Sequence, residues 1–196
     1  MKKFAGYEAK KTEPAGAALP AGGYVAKIMG TEVKEYGWGD VLVISFDIAE
    51  GEHKDFFAKR WKADENSEYE RKWKGTFRLN IPTKKSRYPD SDKRNFNNAM
   101  WAVETSNNGY TWNWDESTLK GKMIGVLFRN REWEMDGNTG WTTECCSVTS
   151  VGDIRGGTFY TPKDKPLKNK PETAQKSPAE TAMETADIIS DDELPF

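Results

Sequence analysis

The chain has 196 residues, with 29 Lys and Arg against 31 Asp and Glu and a single His. That length suits one domain with tails. One histidine and two cysteines make no zinc set of familiar spacing, no stretch approaches a membrane-spanning length, and Met1-Lys2-Lys3 runs into Phe4-Ala5-Gly6 rather than an apolar segment, so a cytoplasmic protein without signal peptide, membrane contact, metal or cofactor is expected.

The near-neutral total hides a division. Residues 1–176 carry 29 basic and 25 acidic residues, a net of +4, whereas the last 20 residues carry six carboxylates and no Lys or Arg. A body that can meet a polyanion is thus joined to a tail that can compete with one. Cys145 and Cys146 are neighbours on an expected strand and point to opposite faces, which argues against a bridge between them and for free thiols in a reducing compartment.

Residues 1–20, with Gly6, Pro14, Gly16 and Pro20, read as a flexible lead. A first strand is expected from Tyr24 to Val33, then a glycine-rich turn, Tyr36-Gly37-Trp38-Gly39-Asp40. Val41 to Ile48 is the clearest strand, with Leu42, Ile44, Phe46 and Ile48 on one face and Val41, Val43, Ser45 and Asp47 on the other. A third strand from about Asp55 to Trp61 would place Phe57, Lys59 and Trp61 on one face. A charged insert follows, where Ser67 and Glu70 form a capping box and Tyr69 and Trp73 lie four apart, before strand alternation returns from Thr76 to Ile81.

After a polar loop from Pro82 to Asp92, a helix is expected from about Lys93 to Ser106, with Asp92 as N-cap and Phe96, Met100 and Val103 as its buried stripe. Tyr110 to Trp114 fits a short strand or a packed loop. Gly121 to Trp133 reads as the fourth strand, Asp136 to Gly140 as a hairpin turn, and Trp141 to Val151 as the fifth strand. Past Gly157 the composition turns to Lys, Glu, Thr and Ala with Pro162, Pro166, Pro171 and Pro178, which reads as a disordered linker over 158–187. Three strands, a helix and two strands is the element order of an OB-fold, a five-stranded, partly open Greek-key barrel, although a different all-β barrel with one helix would share it; the body is expected to span 21–157.

The chemistry of this chain does not look catalytic. His53 sits in a polar loop, no Gly-rich phosphate loop or nucleophile elbow occurs, and Asp40, Asp47 and Asp55, the candidates for a magnesium site, fall where alternation predicts ordinary surface. Binding of single-stranded nucleic acid has more support, because it needs aromatic platforms among Lys and Arg. All eight Trp precede residue 142 and several lie among basic residues. The candidates are Trp38 in the first turn; Phe57, Lys59, Arg60 and Trp61; Arg71 and Trp73 on the insert; Arg78; Lys84, Lys85, Arg87 and Tyr88 in the polar loop; and Arg129, Arg131 and Trp133 along the fourth strand. Trp101 and Trp114 read as core residues, Trp38 and Trp133 as groove residues, and Trp61 fits either.

The chain ends Ile188-Ile189-Ser190-Asp191-Asp192-Glu193-Leu194-Pro195-Phe196. Asp191, Asp192, Glu193, Leu194, Pro195 and Phe196 resemble the C-terminal tip of bacterial single-stranded DNA-binding proteins, which usually ends in three Asp followed by Ile-Pro-Phe; the departures at Glu193 and Leu194 keep charge and apolarity. The body resembles OB-fold single-stranded DNA-binding proteins of phages of Gram-positive bacteria, through Leu19-Pro20-Ala21-Gly22-Gly23-Tyr24, Leu119-Lys120-Gly121-Lys122 and the hairpin from Gly125 to Val151. These resemblances imply a protein that coats single-stranded DNA during replication or recombination, largely without sequence preference, and recruits replication and repair proteins through residues 188–196. A protein-interaction adaptor whose tip mimics the host tail and a metal-dependent DNA-processing enzyme are the alternatives. A homo-oligomer is compatible with the sequence, and DNA is not separated from RNA.

Overall fold

The structure is a computed structural model that describes residues 18–66 and 70–168. The N-terminal lead to residue 17, Ser67 of the expected capping box, Tyr69, the linker beyond 168 and the tip at 191–196 lie outside the described residues. Five antiparallel strands form one sheet in the order β3-β2-β1-β4-β5. They are β1 (Gly22–Tyr36), β2 (Gly39–Ile48), β3 (Thr76–Ile81), β4 (Met123–Met135) and β5 (Asn138–Thr149). Helix α1 (Phe56–Ala63) lies between β2 and β3, α2 (Pro89–Ser106) between β3 and β4, and α3 (Val151–Gly156) follows β5. Among the described residues no helix is long and apolar enough to cross a membrane.

β1 organises the sheet. Its first half, Gly22 to Lys27, pairs with β4, and Ala26 to Tyr36 pairs with β2, with a register shift between Ile28 and Gly30. A strand shared in this way must bend, and the bulge supplies the bend. The sheet curls until its two end strands, β3 and β5, face each other across a narrow gap, giving a barrel-like shape. Ala26, Ile28, Ile44, Phe46, Leu79, Val126 and Phe128 fill the interior, and Phe96, Ala99, Met100 and Val103 of α2 close one end. Those four helical positions recur at three- and four-residue spacing, the stripe expected of a helix laid on a core.

Several expected boundaries move. The residues from Asp55 to Trp61 are not a strand: Phe56–Ala63 is helical. Asp47 explains the change. It is buried, not surface, and its carboxylate accepts hydrogen bonds from the backbone N–H of Phe57 (2.9 Å) and Ala58 (3.0 Å), as well as from Ile48 (2.8 Å). A residue of β2 thus caps α1 from ten positions away, satisfying N–H groups that a helix start leaves without partners. Val41 and Val43 are buried as well, so β2 is covered on both faces.

Helix α2 begins earlier than expected, with Pro89 in its first turn. Asp92 therefore lies inside the helix, buried, and accepts a hydrogen bond from Asn80 Nδ2 at 3.0 Å instead of capping. Val151 leaves the fifth strand for α3, whose start is held by a reciprocal Ser150–Asp153 capping box. Trp101 and Trp114, expected in the core, are 48% and 75% exposed. Trp101 rides the outer face of α2, and Trp114 stacks on the Phe96 ring at 5.9 Å. The hairpin turn is tight, Asp136 and Gly137 both at positive φ, as a two-residue turn of the primed type requires.

The first part of the expected linker is structured. Residues 158–168 run back along β4, where Lys165 N–H donates to Asn130 O and Glu132 N–H donates to Lys165 O, both at 2.9 Å. Asn130 Nδ2 donates to Asp164 Oδ1, and Leu167 N–H donates to Glu132 Oε2. This strap covers the stretch of β4 that continues past the start of β1.

Candidate nucleic-acid interface

Three hollows follow one another along β3. The largest, a cleft of about 670 Å³, opens between α1, the start of β3 and the β4–β5 hairpin. Five cations line it: Arg60 from α1, Lys74 from the segment before β3, Arg78 from β3, and Arg129 and Arg131 from β4. Phe56, Phe57 and Phe77 line it as well. Thr142 and Thr143 of β5 add hydroxyls, and Thr143 Oγ1 donates to Leu19 O, which fixes the incoming chain as one wall.

Glu144 is the one carboxylate among the described residues lining this cleft. Its Oε1 accepts from Arg129 Nη2 (2.7 Å) and Nε (2.9 Å), while Lys165 Nζ stands at 3.5 Å and Arg131 Nε lies 3.6 Å from Oε2. Burial alone would raise its pKa. The Arg129 hydrogen bonds and the charges of Lys165, Arg129 and Arg131 outweigh burial and hold the carboxyl below its ordinary range. Glu144 thus aligns two arginines that would otherwise repel each other, and leaves Arg60, Lys74 and Arg78 free of that carboxylate.

A gap of about 170 Å³ separates β3 from β5. It shares Phe77 and Arg78 with the cleft and Asn80 and Asp92 with the third hollow, and Cys146 and Val148 form its far wall. The third hollow, about 440 Å³, lies between the β1–β2 turn and the loop before α2. Trp38 is 57% exposed there, stacked on Tyr36 with ring centres 5.1 Å apart and planes 9° from parallel. Tyr88 is 63% exposed across from it, with the Arg87 guanidinium 5.4 Å from its ring.

The structure thus gathers Arg60, Arg78, Arg129 and Arg131 in one cleft and Trp38, Arg87 and Tyr88 in one pocket. Other expected residues do different work. Phe57 is 6% exposed and packs edge-on to Phe46, so it is floor and core at once. With α1 helical, Lys59 leaves the face shared by Phe57 and Trp61, and its Nζ donates to Lys54 O. Arg71 lies over the Trp61 ring at 4.7 Å and donates to Trp61 O, while Trp73 Nε1 donates to Phe46 O (3.0 Å) and Gly75 O (3.1 Å). Arg71 thus ties the insert to α1, and Trp73 ties it to β2. Trp133 packs on Gly140, its partner across the hairpin, where an added Cβ would meet the indole at 2.8 Å. Lys84 and Lys85 are exposed in the loop before α2 and line none of these hollows.

Sequence reasoning missed Lys74, Phe56, Phe77 and Asn80 as residues lining these hollows, and weighed Asp40 only as a magnesium candidate. Lys74 and Phe56 adjoin candidates and become visible once α1 is known to be a helix. Alternation turns Phe77 inward, and the open β3–β5 gap is what bares it. Both thiols are free, and burial raises the pKa of each above the ordinary thiol value, Cys145 far more than Cys146. No protein-family model matches the chain, and no curated protein matches it.

Proposed function

We propose that this chain binds single-stranded DNA along the β3 track, phosphates in the basic cleft and bases on the aromatic residues, and that its barrel is of the OB type. The observation that carries the reading is the cleft: five cations from four separate segments converge on it over phenylalanine rings, and its far end leads to Trp38 and Tyr88. Convergence from distant parts of the chain is not what scattered surface charge produces. The strand order, the curled sheet with β3 facing β5, and the helix between β3 and β4 support an OB-type barrel, whose β2–β3 face and the loops joining strands one to two and four to five bind oligonucleotides.

The tip at 191–196 is proposed to recruit replication and repair proteins, by its resemblance alone. Deletion of residues 188–196 would then abolish capture of those proteins and tighten DNA binding at low salt. The test of the whole reading is a competition among single-stranded DNA, RNA and duplex at two salt concentrations, followed by tryptophan emission. Single-stranded DNA should quench emission and outcompete duplex; equal affinity for duplex, or no binding at low salt, would refute it.

A further inference from the structure

The strap at 158–168 does more than cover β4. With the β4–β5 hairpin it encloses a fourth hollow of about 560 Å³. Tyr160, Lys163 and Lys165 of the strap line it, together with Arg129 and Cys146. Arg129 and Cys146 also line the basic cleft, so the two hollows meet at these residues. The charge of the fourth hollow is one-sided. Lys163 and Lys165 are exposed. Asp164, the one carboxylate among the described residues lining it, is turned inward: Oδ1 accepts from Asn130 Nδ2 at 2.9 Å, and Oδ2 is buried.

The Tyr160 ring is 69% exposed. An open ring beside ammonium groups is what a single strand uses, a face for a base and cations for its backbone. These side chains do not sit on a free tail. Lys165 is held to β4 by backbone hydrogen bonds on both of its sides, and Pro162 and Pro166 fix φ on either side of Lys163 and Lys165. A surface ordered in advance loses less freedom when a ligand settles on it. Continuity and charge together select the occupant: a polyanion lying in the cleft reaches this hollow at Arg129. We propose that the hollow under the strap is a second station for single-stranded DNA, where a strand that fills the cleft passes Arg129 and sets a further base on Tyr160, with the adjoining phosphates against Lys163 and Lys165. The footprint then extends from the β3 track onto a segment outside the barrel. The proposal rests on the single-stranded DNA reading above.

The test uses the full chain, a dT oligonucleotide too short to leave the β3 track, and one of about 16 nucleotides, the upper end of what one barrel covers. Tyr160 and Lys163 are both exposed, so replacing them leaves the fold in place. Titrations follow tryptophan emission at low salt. Tyr160→Ala should weaken the long strand about tenfold, the scale of one stacked base, and leave the short strand unchanged. Tyr160→Trp should restore the affinity and add quenching with the long strand only. Lys163→Ala should flatten the salt slope of the long strand by roughly 0.7. A Tyr160→Ala chain that binds the long strand as the unmutated chain does, or that loses both lengths alike, overturns the second station and leaves the single-stranded DNA reading standing. Tighter binding of the long strand in Tyr160→Ala or Lys163→Ala overturns it in favour of an acidic peptide that competes from the hollow. Failure of both strands to bind the unmutated chain overturns the DNA reading and this proposal with it.

Discussion

The cleft over α1 and the pocket beside Trp38 lie at opposite ends of β3 and are assembled from opposite materials. In the cleft a single carboxylate, Glu144, is surrounded by Arg129, Arg131 and Lys165. In the pocket a carboxylate oxygen of Asp40 is left without any donor. The supports differ too. The cleft depends on α1, which stands on a long-range cap from Asp47, whereas the pocket depends on a local turn and on one aromatic ring stacked on another. On the proposed reading the first end holds backbone and the second holds bases. The two ends should therefore fail separately.

The largest effect is expected at Asp47. Asp47→Ala leaves the N–H groups of Phe57 and Ala58 without their acceptor inside the protein. At about 1–3 kcal/mol for each buried group left unsatisfied, the loss of stability should be about 3 kcal/mol, read from urea unfolding. Because Phe56, Phe57 and Arg60 of α1 line the cleft and no α1 residue lines the pocket, binding should drop while quenching of Trp38 by short oligonucleotides persists. Equal loss at both ends would show that the two are not independent.

This dependence also explains what was legible in the sequence. Part of the pocket was readable because those parts are local: Trp38 lies between two glycines, and Arg87-Tyr88 ends a basic loop; Asn80, which β3 brings in, was not. The α2 stripe and the β4–β5 hairpin were readable for the same reason, a periodicity and a turn dipeptide. The α1 helix was not. Phe57, Lys59 and Trp61 alternate like a strand, the apolar pair Phe57 and Trp61 fits a helix equally well, and the residue that decides between them belongs to β2. The strap at 158–168 was hidden similarly, since its partners, Asn130 and Glu132, lie more than thirty positions back. Composition alone favours disorder there, and a few backbone hydrogen bonds to an open stretch of β4 override it.

Next in size is removal of cations. Arg78→Ala combined with Arg131→Ala should weaken binding of a dT oligonucleotide by more than about tenfold at low salt and flatten the salt dependence by roughly 0.7 for each phosphate no longer neutralised. Trp38→Ala should cost about 1–3 kcal/mol of stacking and leave the salt slope unchanged. Measuring both slopes separates a phosphate end from a base end. If Trp38→Ala flattens the slope, or the arginine pair leaves it untouched, the division between the ends is wrong.

The smallest change has the opposite sign. Glu144→Gln removes the negative charge of the cleft and releases Arg129 and Arg131, so dT should bind several-fold more tightly at neutral pH and low salt, with a steeper salt slope. The pH dependence follows from the lowered pKa of Glu144. A carboxylate depressed below its ordinary value of 4.5 contributes its ion-pair stability above that value and loses it as pH falls through the depressed one. The advantage of Glu144→Gln over the unmutated chain should therefore be full at neutral pH and shrink as pH falls below 4.5, as the native carboxyl takes up its proton. Thymine does not titrate in acid, which makes dT the right probe. An advantage that stays constant with pH, or a Gln variant that binds more weakly, would mean that Glu144 serves the site by holding Arg129 and Arg131 in place and not by restraining their charge.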